Sequence, residues 1–169
     1  MKNERVVTFS PFAFGAFPIP TDYIKFIDKV ENCCGQLAIA SALNISVMRV
    51  FKRAGLKRSD LKTGTRQKKM IEILKLLGCD VKQKGVRNRF RFPRVDLAII
   101  RVSFGHPDQH WIKTAKLSHY ITLKRFGINH YVLDNVKVDG RVHWIELSEY
   151  YKVMEADKMF ITSYLELKS

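Results

Sequence analysis

The sequence predicts an α+β domain, with N-terminal helices packed on a mostly antiparallel C-terminal sheet, and three observations predict that class. Apolar residues recur at helical spacing between residues 34 and 77. Short runs rich in β-branched and aromatic residues, separated by turn residues, occupy residues 81–165. The 169 residues, of which 46% are hydrophobic and 27% charged, suit one ordinary globular domain.

Three helices are predicted in the first half. A small, mostly apolar helix begins near Cys34 and is of the kind that is buried nearly all round. Gly55 ends a second helix, and a third follows over residues 66–77 with Thr65 as a candidate N-cap. The apolar residues of the third helix share one face: Met70, Ile73, Leu74 and Leu77.

The second half predicts strands joined by turns. The strand-like runs are residues 81–86, 97–103, 118–125 and 129–136. Trp144 leads into a short helix over residues 148–153, and residues 159–165 predict a last strand. The helices therefore precede most of the sheet in the chain.

A hairpin in this sheet places a histidine near an aspartate. With a two-residue loop at residues 126–127, His119 stands directly opposite Asp134. The same face carries Ile121 opposite Val132, so the pair lies at the end of an apolar stripe. A one-residue slip would put the two side chains on opposite faces.

The first 20 residues predict a separate segment. Phenylalanines punctuate it at four positions, Phe9, Phe12, Phe14 and Phe17, between Ser, Gly and Pro residues. We expect an aromatic N-terminal arm over residues 1–20, which either packs onto the domain or attaches to a partner, and one domain over residues 21–169. The segment makes no convincing signal peptide, and no apolar run approaches the roughly 20 residues of a membrane span.

The three cysteines predict free thiols. Cys33 and Cys34 are adjacent and Cys79 is alone, so a disulfide framework is unfavourable and a reducing compartment fits better. The sequence has no paired C-x-x-C for a structural zinc. His106 and His110 make only a weak metal pair because Pro107 lies between them. We expect no metal and no cofactor.

The segment around Cys34 carries the strongest chemical signal. A cysteine at a helix N-terminus lies where unpaired N–H groups and the helix dipole stabilise a thiolate, and Gly35 would let a substrate backbone approach. A thiolate nucleophile needs a histidine to hold its proton and an acceptor to orient that histidine, which predicts Cys34, His119 and Asp134 as a catalytic triad. A core cysteine beside a solvated polar pair is the alternative.

These motifs resemble the papain-like cysteine peptidase superfamily. Cys34-Gly35 opening a helix, Ser118–Ile121 in one strand and Tyr131–Asp134 in the next look like its small branch of double-glycine leader peptidases, including relatives in phage and mobile elements. The likeness covers about residues 31–149. It implies that Cys34 is the nucleophile, His119 the general base and acid, and Asp134 the orienting carboxylate.

One position departs from that superfamily. A glutamine usually lies about six residues before the nucleophile and donates a hydrogen bond to the oxyanion, whereas this chain has Asp28. An ionised carboxylate cannot donate and repels the developing charge. Asn32 or Gln36 are the candidate substitutes, beside the backbone N–H of Cys34.

The charge of the chain is strongly positive. The sequence has 30 Lys and Arg against 16 Asp and Glu, a net charge of +14, and most of the excess lies in a basic belt over residues 52–94. Arg87, Arg89 and Arg91 alternate with Phe90 and Phe92, a pattern able to pair phosphates and stack on bases. A solvated face or an acidic protein partner are the alternatives, and no sequence-reading motif is present.

Taken together, the sequence predicts a cysteine peptidase-like hydrolase acting on a peptide or other amide bond. The alternative is a catalytically weak papain-like scaffold that binds nucleic acid or a larger assembly, such as a virion, through the basic belt. We expect a cytoplasmic or virion-associated protein. A thiolate at Cys34 distinguishes the two, because a binding module has no need of one.

Overall fold

The computed structural model describes residues 14–15, 17–30, 32–57, 64–105, 118–135 and 141–168. Five helices lie within them: α1 (Tyr23–Lys29), α2 (Cys34–Leu43), α3 (Val47–Ala54), α4 (Gln67–Leu76) and α5 (Leu147–Ala156). The strands of the same residues are β1 (Phe14–Gly15), β2 (Asp80–Lys84), β3 (Leu97–Phe104), β4 (His119–Phe126), β5 (Asn129–Leu133), β6 (Trp144–Glu146) and β7 (Met159–Lys168).

The strands form one sheet in the order β1-β6-β5-β4-β3-β7-β2, and neighbouring strands pair antiparallel. Helices α1 to α4 cover one face, which we call the α2 face, and α5 covers the other, the α5 face. The α+β class predicted from the sequence is therefore confirmed.

Helix α2 is the central helix, and its predicted burial is confirmed. Every side chain from Gly35 to Ala42 is buried. On its sheet side the hydroxyls of Ser41 and Thr122 lie 2.7 Å apart, and Thr122 also donates to the carbonyl of Ala38 at 3.1 Å. These polar contacts fix α2 along β4, because a buried hydroxyl without a partner is costly. The start of α2 is thereby held at the start of β4.

The ends of the helices follow mostly from local chemistry. Ser46 caps α3 by accepting from the N–H of Arg49, and Gly55 ends α3 in the left-handed conformation at φ 63°. The prediction of Thr65 as the N-cap of α4 is wrong. Arg66 takes that position, and the Thr65 hydroxyl accepts instead from the side chain of Gln36 at 2.6 Å.

Helix α1 was not predicted from the sequence. It has seven residues, and tertiary contacts hold it, including a stack of Phe26 on Phe51 with ring centroids 5.2 Å apart. The preceding Asp22 accepts from the N–H groups of Val47 and Met48 at 2.8 and 2.9 Å. A carboxylate at this end of α3 also complements the helix dipole.

The predicted hairpin loop at residues 126–127 is wrong, because the loop lies one residue later in the chain. Phe126 pairs with Asn129, so Gly127 and Ile128 form the loop. Gly127 has a φ of 62°, and a two-residue loop of type II′ favours glycine at its first position because that position has a positive φ. The shift keeps each residue on its predicted face, since the pairing partner moves by two residues along β5. The contact between His119 and Asp134 survives as a diagonal one.

Most of the predicted arm lies outside the described residues, as do Phe9, Phe12, His106 and His110. Of the remainder, β1 pairs with β6, and Phe17 stacks on Phe126 at the hairpin. Within the described ranges no single helix is long and apolar enough to cross a membrane. The pair α2 and α3 meets the length and composition criteria together, but with a bend of 112° between them.

Candidate active site

Two adjacent cysteines occupy different environments at the start of α2. Cys33 is the N-cap residue and is 2% exposed, and its thiol donates to the carbonyl of Val30 at 3.3 Å. Burial, and then the neighbouring Cys34, raise the pKa of Cys33 to about 11. Cys34 is the first residue of the helix and is partly exposed. Cys33 is thus a buried thiol, and Cys34 is the accessible one.

His119 and Asp134 form a buried pair beside this helix end. The Nε2 atom of His119 lies 2.7 Å from Oδ1 of Asp134, and the side chains are 12% and 5% exposed. His119 begins β4, and Asp134 follows the last residue of β5. Tyr150 of α5 donates its hydroxyl to the other carboxylate oxygen at 2.6 Å. The carboxylate is therefore held from both the sheet and the opposite helix.

The histidine is coupled electrostatically to both neighbours. Burial alone would lower the pKa of His119. The charge of Asp134 and its hydrogen bond, together with a hydrogen bond and charge interaction from Cys34, outweigh burial and raise that pKa to about 10. Cys34 is thus close enough to His119 to act on its pKa, and His119 in turn contacts Asp134, so the three side chains are neighbours in the order Cys34, His119, Asp134.

Three tyrosines, Tyr23, Tyr120 and Tyr150, enclose the site, and no sequence pattern indicated a role for any of them. Tyr23 and Tyr150 are 1% and 0% exposed, and burial, followed by the charge of Asp134, raises the pKa of each well above its usual range. Burial raises the pKa of Tyr120 to about 12, with Arg101 opposing that rise and Cys34 adding to it. These neutral phenols give the site an apolar lining with hydroxyl groups in it.

Gly35 does not leave room for a substrate. A Cβ atom added there would lie 2.6 Å from Sδ of Met70 and 3.3 Å from Cβ of Thr65. The glycine lets α2 pack against the start of α4. The expectation that Gly35 admits a substrate backbone is therefore wrong.

The residues considered for the oxyanion lie apart from one another. Asp28 lies in α1 on the side away from buried Tyr23 and Phe26, and its side chain is exposed. Asn32 is exposed, with a φ of 57°. Gln36 is fully buried, and its amide nitrogen is engaged by Thr65 while its Oε1 atom has no hydrogen-bond partner. As placed, Gln36 presents an acceptor.

Backbone donors remain at the start of α2. The first intrahelical bond runs from the N–H of Leu37 to the carbonyl of Cys33, which leaves the earlier N–H groups of the helix outside its ladder. These groups and the positive end of the helix dipole lie at the Cys34 side chain. The helix end is suited to stabilise an anion on or beside that sulfur.

The basic belt lies on the surface over several elements. Its described lysines and arginines are exposed, apart from the partly buried Lys69, along α3, α4, β2 and the connection to β3. In that connection Phe90 is 55% exposed, whereas Phe92 is 7% exposed and packs against Tyr150 and Tyr151. The predicted alternation of arginine and phenylalanine therefore leaves one ring free to stack on another molecule. Among the described residues, no three His, Cys, Asp or Glu side chains are grouped to hold a metal.

The fold and the site define an α+β domain in which a cysteine at the start of a buried helix meets a histidine–aspartate pair on the sheet. No family model matches the chain, and no curated protein matches it. Solved structures to which it is similar are peptidase domains of the kind that the sequence motifs resembled.

One is the peptidase domain of Streptococcus ComA, a bifunctional ABC transporter of a quorum-sensing pathway, with 15% identity and a TM-score of 0.47 over 80% of this chain and 90% of that one. A second is a double-glycine-motif protease from an AMS/PCAT transporter in complex with the leader peptide, with 17% identity and a TM-score of 0.47 over 98% and 95%. A third is the peptidase domain of Streptococcus mutans ComA, with 14% identity and a TM-score of 0.45 over 82% and 93%. Likeness at this level assigns no activity to this chain.

Proposed function

We propose that the protein is a cysteine hydrolase that cleaves a peptide or other amide bond. The observation that carries the proposal is the buried His119–Asp134 pair, 2.7 Å apart, beside the accessible thiol of Cys34 at the start of α2, where Cys34 acts on the pKa of His119. A thiol, a base and an orienting group in this order form an activated nucleophile. A buried charged pair is costly to desolvate, so its position next to an accessible thiol favours a catalytic role over a purely structural one.

In the proposed mechanism His119 already holds the proton of Cys34, and the Cys34 thiolate attacks the carbonyl carbon. A C–S bond forms, and the electron pair of the C=O bond moves to oxygen. As the tetrahedral intermediate collapses, the C–N bond breaks and His119 returns the proton to the leaving amine. His119 then takes a proton from water, the resulting hydroxide attacks the thioester, and the thiolate leaves.

Asp134 holds the imidazole throughout these steps. Its Oδ1 atom binds Nε2 of His119, which leaves Nδ1 to face the thiol. For the oxyanion, we assign the backbone N–H of Cys34 at the start of α2, with the side chain of Asn32 as a second donor. Gln36 would serve only after its amide turned away from Thr65.

The test is the reactivity of Cys34. Iodoacetamide at pH 6 is expected to alkylate Cys34 at least tenfold faster than Cys79, whose pKa is raised by burial and then by Asp80. Replacing His119 with alanine should remove that advantage. Peptide mapping by mass spectrometry measures each site separately. Equal, slow labelling of Cys34 and Cys79 would contradict the proposal.

A second candidate function is binding of an anionic polymer such as a nucleic acid. The observation that favours it is the exposure of Arg87, Arg89 and Arg91 around a Phe90 ring that is 55% exposed. Cations and a free aromatic ring together suit a single strand, in which phosphates and unstacked bases alternate. The same surface would equally well hold an acidic protein through its cations alone.

A further inference from the structure

A partly buried arginine lies beside the proposed catalytic residues, and the described part of the chain offers it no acidic partner. Arg101 is in the middle of β3, and its Nε and Nη2 atoms donate to the hydroxyl of Ser118 at 3.2 and 3.0 Å. Ser118 directly precedes His119 in the chain. None of the carboxylates of the described residues forms an ion pair with Arg101.

That arrangement is costly unless something else compensates it. Charged groups taken out of water are normally paired, and an arginine offers five N–H donors, of which Ser118 takes two. A neutral hydroxyl does not balance the charge. The planar fork of the guanidinium matches a carboxylate, which binds it through two parallel hydrogen bonds.

The neighbours of Arg101 are also hydrogen-bond donors. The sheet register places Tyr120 of β4 and Ser163 of β7 directly opposite Arg101, so the three side chains lie in one row on the α2 face. Gln67, the first residue of α4, accepts from the Ser163 hydroxyl through Oε1 at 3.0 Å. The Nε2 atom of Gln67 is buried and has no hydrogen-bond partner.

This row lies next to Cys34. Tyr120 is the residue after His119, and it is close enough to both Arg101 and Cys34 for each charge to act on its hydroxyl. The α2 face at this end of the sheet thus presents a cation, a phenol and an unpaired amide N–H, and no described acid balances them. Donors without acceptors are what an anion-binding site requires.

We propose that Arg101, with Tyr120 and Gln67, binds a carboxylate of the substrate beside the scissile bond. The proposal rests on the proposed function, because it places the carboxylate relative to Cys34. The carboxylate belongs either to an acidic side chain or to the C-terminus of a peptide. In both cases the enzyme would select acidic substrates, which complements its net charge of +14.

The experiment uses haloacetyl dipeptides in two matched pairs. Bromoacetyl-Ala-Glu-NH2 and bromoacetyl-Ala-Gln-NH2 differ only in a side-chain carboxylate, and bromoacetyl-Ala-Ala-OH and bromoacetyl-Ala-Ala-NH2 differ only at the C-terminus. In each reaction the Cys34 sulfur forms a C–S bond and bromide leaves with its electron pair. Mass spectrometry gives the alkylation rate of Cys34 for each reagent.

The ratio of carboxylate to amide rates is the measured quantity. In the wild-type protein we expect a ratio of about ten for at least one pair, the preference expected of one charge-assisted hydrogen-bonded contact. Arg101→Gln should bring that ratio close to one. The control Arg94→Gln removes one exposed positive charge and should keep the wild-type ratio. The pair that shows the preference identifies the source of the carboxylate.

Two outcomes overturn the proposal: a wild-type ratio near one for both pairs, or a ratio that Arg101→Gln leaves unchanged. If Arg101→Gln does not fold, Arg101→Lys carries the test, because lysine keeps the charge and loses the planar fork. Its ratio should fall about threefold, and an unchanged ratio would then count against the site. The ratio is independent of the absolute rate. Slow labelling of Cys34 by every reagent, compared with Cys79, therefore contradicts the proposed function and leaves the ratio as the separate test of Arg101.

Discussion

The two faces of the sheet differ sharply where they meet the candidate triad. The α2 face has an accessible thiol and a row of polar side chains at its open end, with Arg101 and Tyr120 among them. The α5 face is largely apolar in the part of the chain that the structure describes, and there Tyr150 donates to Asp134 at 2.6 Å, with both partners buried. His119 connects the two sides.

This difference separates two requirements of one reaction. A nucleophile has to meet a substrate, which requires exposure and polar groups that recognise it. The group that orients the histidine works best where water cannot compete for its hydrogen bonds, because a low local dielectric strengthens them. The sheet keeps the two environments apart, and each of the following predictions tests one side against the other.

The largest effect on stability and turnover is expected from a change at Asp134, on the α5 face. Asp134→Ala removes the partner of both His119 and Tyr150 and should lower the free energy of unfolding by about 3–5 kcal/mol. Turnover should fall as far as in His119→Ala, and the double variant should lose little more, since the residues act as a unit. Urea unfolding and peptide hydrolysis measure the two effects. Asp134→Asn keeps an acceptor and should lose less of each, and full activity in both alanine variants would refute the triad.

A smaller effect is expected from the hydroxyl on α5. Tyr150→Phe should cost about 1–2 kcal/mol of stability and slow the alkylation of Cys34, because Asp134 loses a donor and holds the imidazole less firmly. The matched control is Tyr151→Phe on the same helix, whose hydroxyl accepts from the N–H of Phe92 instead. Labelling kinetics should separate the two variants. An equal rate for both would show that the α5 face has no influence on the thiol.

The pH dependence of stability sharpens the same comparison. The pKa of His119 is raised in the folded protein to about 10, above an unfolded value of about 6.5. The charged imidazole therefore contributes stability that is fully present below about pH 6.5 and is lost as the pH rises through 10. The difference in unfolding free energy between the wild type and His119→Gln should shrink from pH 6 to pH 10. A difference that grows over this range would mean that His119 is neutral in the folded state.

The smallest effect on the site is expected from the basic connection between β2 and β3. If it binds a nucleic acid, log affinity should fall linearly with log salt, with a slope of about −0.7 to −0.9 per phosphate contacted. Replacing Arg87, Arg89 and Arg91 together should weaken binding to all sequences alike, whereas Phe90→Ala should weaken single strands more than duplex. Gel-shift titrations at two salt concentrations measure both. The labelling rate of Cys34 should be unaffected. If no nucleic acid binds near physiological salt, the basic belt is instead a binding surface for an acidic protein or a solvated face.

The sequence predicted the parts of the fold that local patterns encode. The run of small apolar residues after Cys34 predicted α2, and the strand-like runs predicted the central strands of the sheet. The face of His119 and Asp134 was predicted correctly, but the register was not, because the hairpin turns at Gly127 with its positive φ. Alternation determines which face a residue lies on more firmly than which residue it opposes.

The rest depends on long-range packing, which a local pattern does not encode. Helix α1 is short and owes its stability to contacts such as Phe26 on Phe51, so the spacing of its apolar residues did not predict it. Tyr150 lies on an ordinary amphipathic helix, and its bond to Asp134 depends on how α5 crosses the sheet. In the sequence Arg101 is a single charged residue in an apolar strand, and only the pairing of β3 with β4 and β7 shows which donors lie beside it.

The outer strands of the sheet have a consequence for the behaviour of the protein at high concentration. Strand β1 has two residues, and β2, at the opposite edge, has exposed Lys82 and Lys84. An unpaired edge is a template for pairing with another chain, and short length and lysine side chains are devices that discourage it. Within the residues that the structure describes, neither edge offers a long, flat and apolar strand for such pairing. The described edges should therefore resist edge-to-edge aggregation, even though the inner strands β3, β4 and β7 are mostly buried.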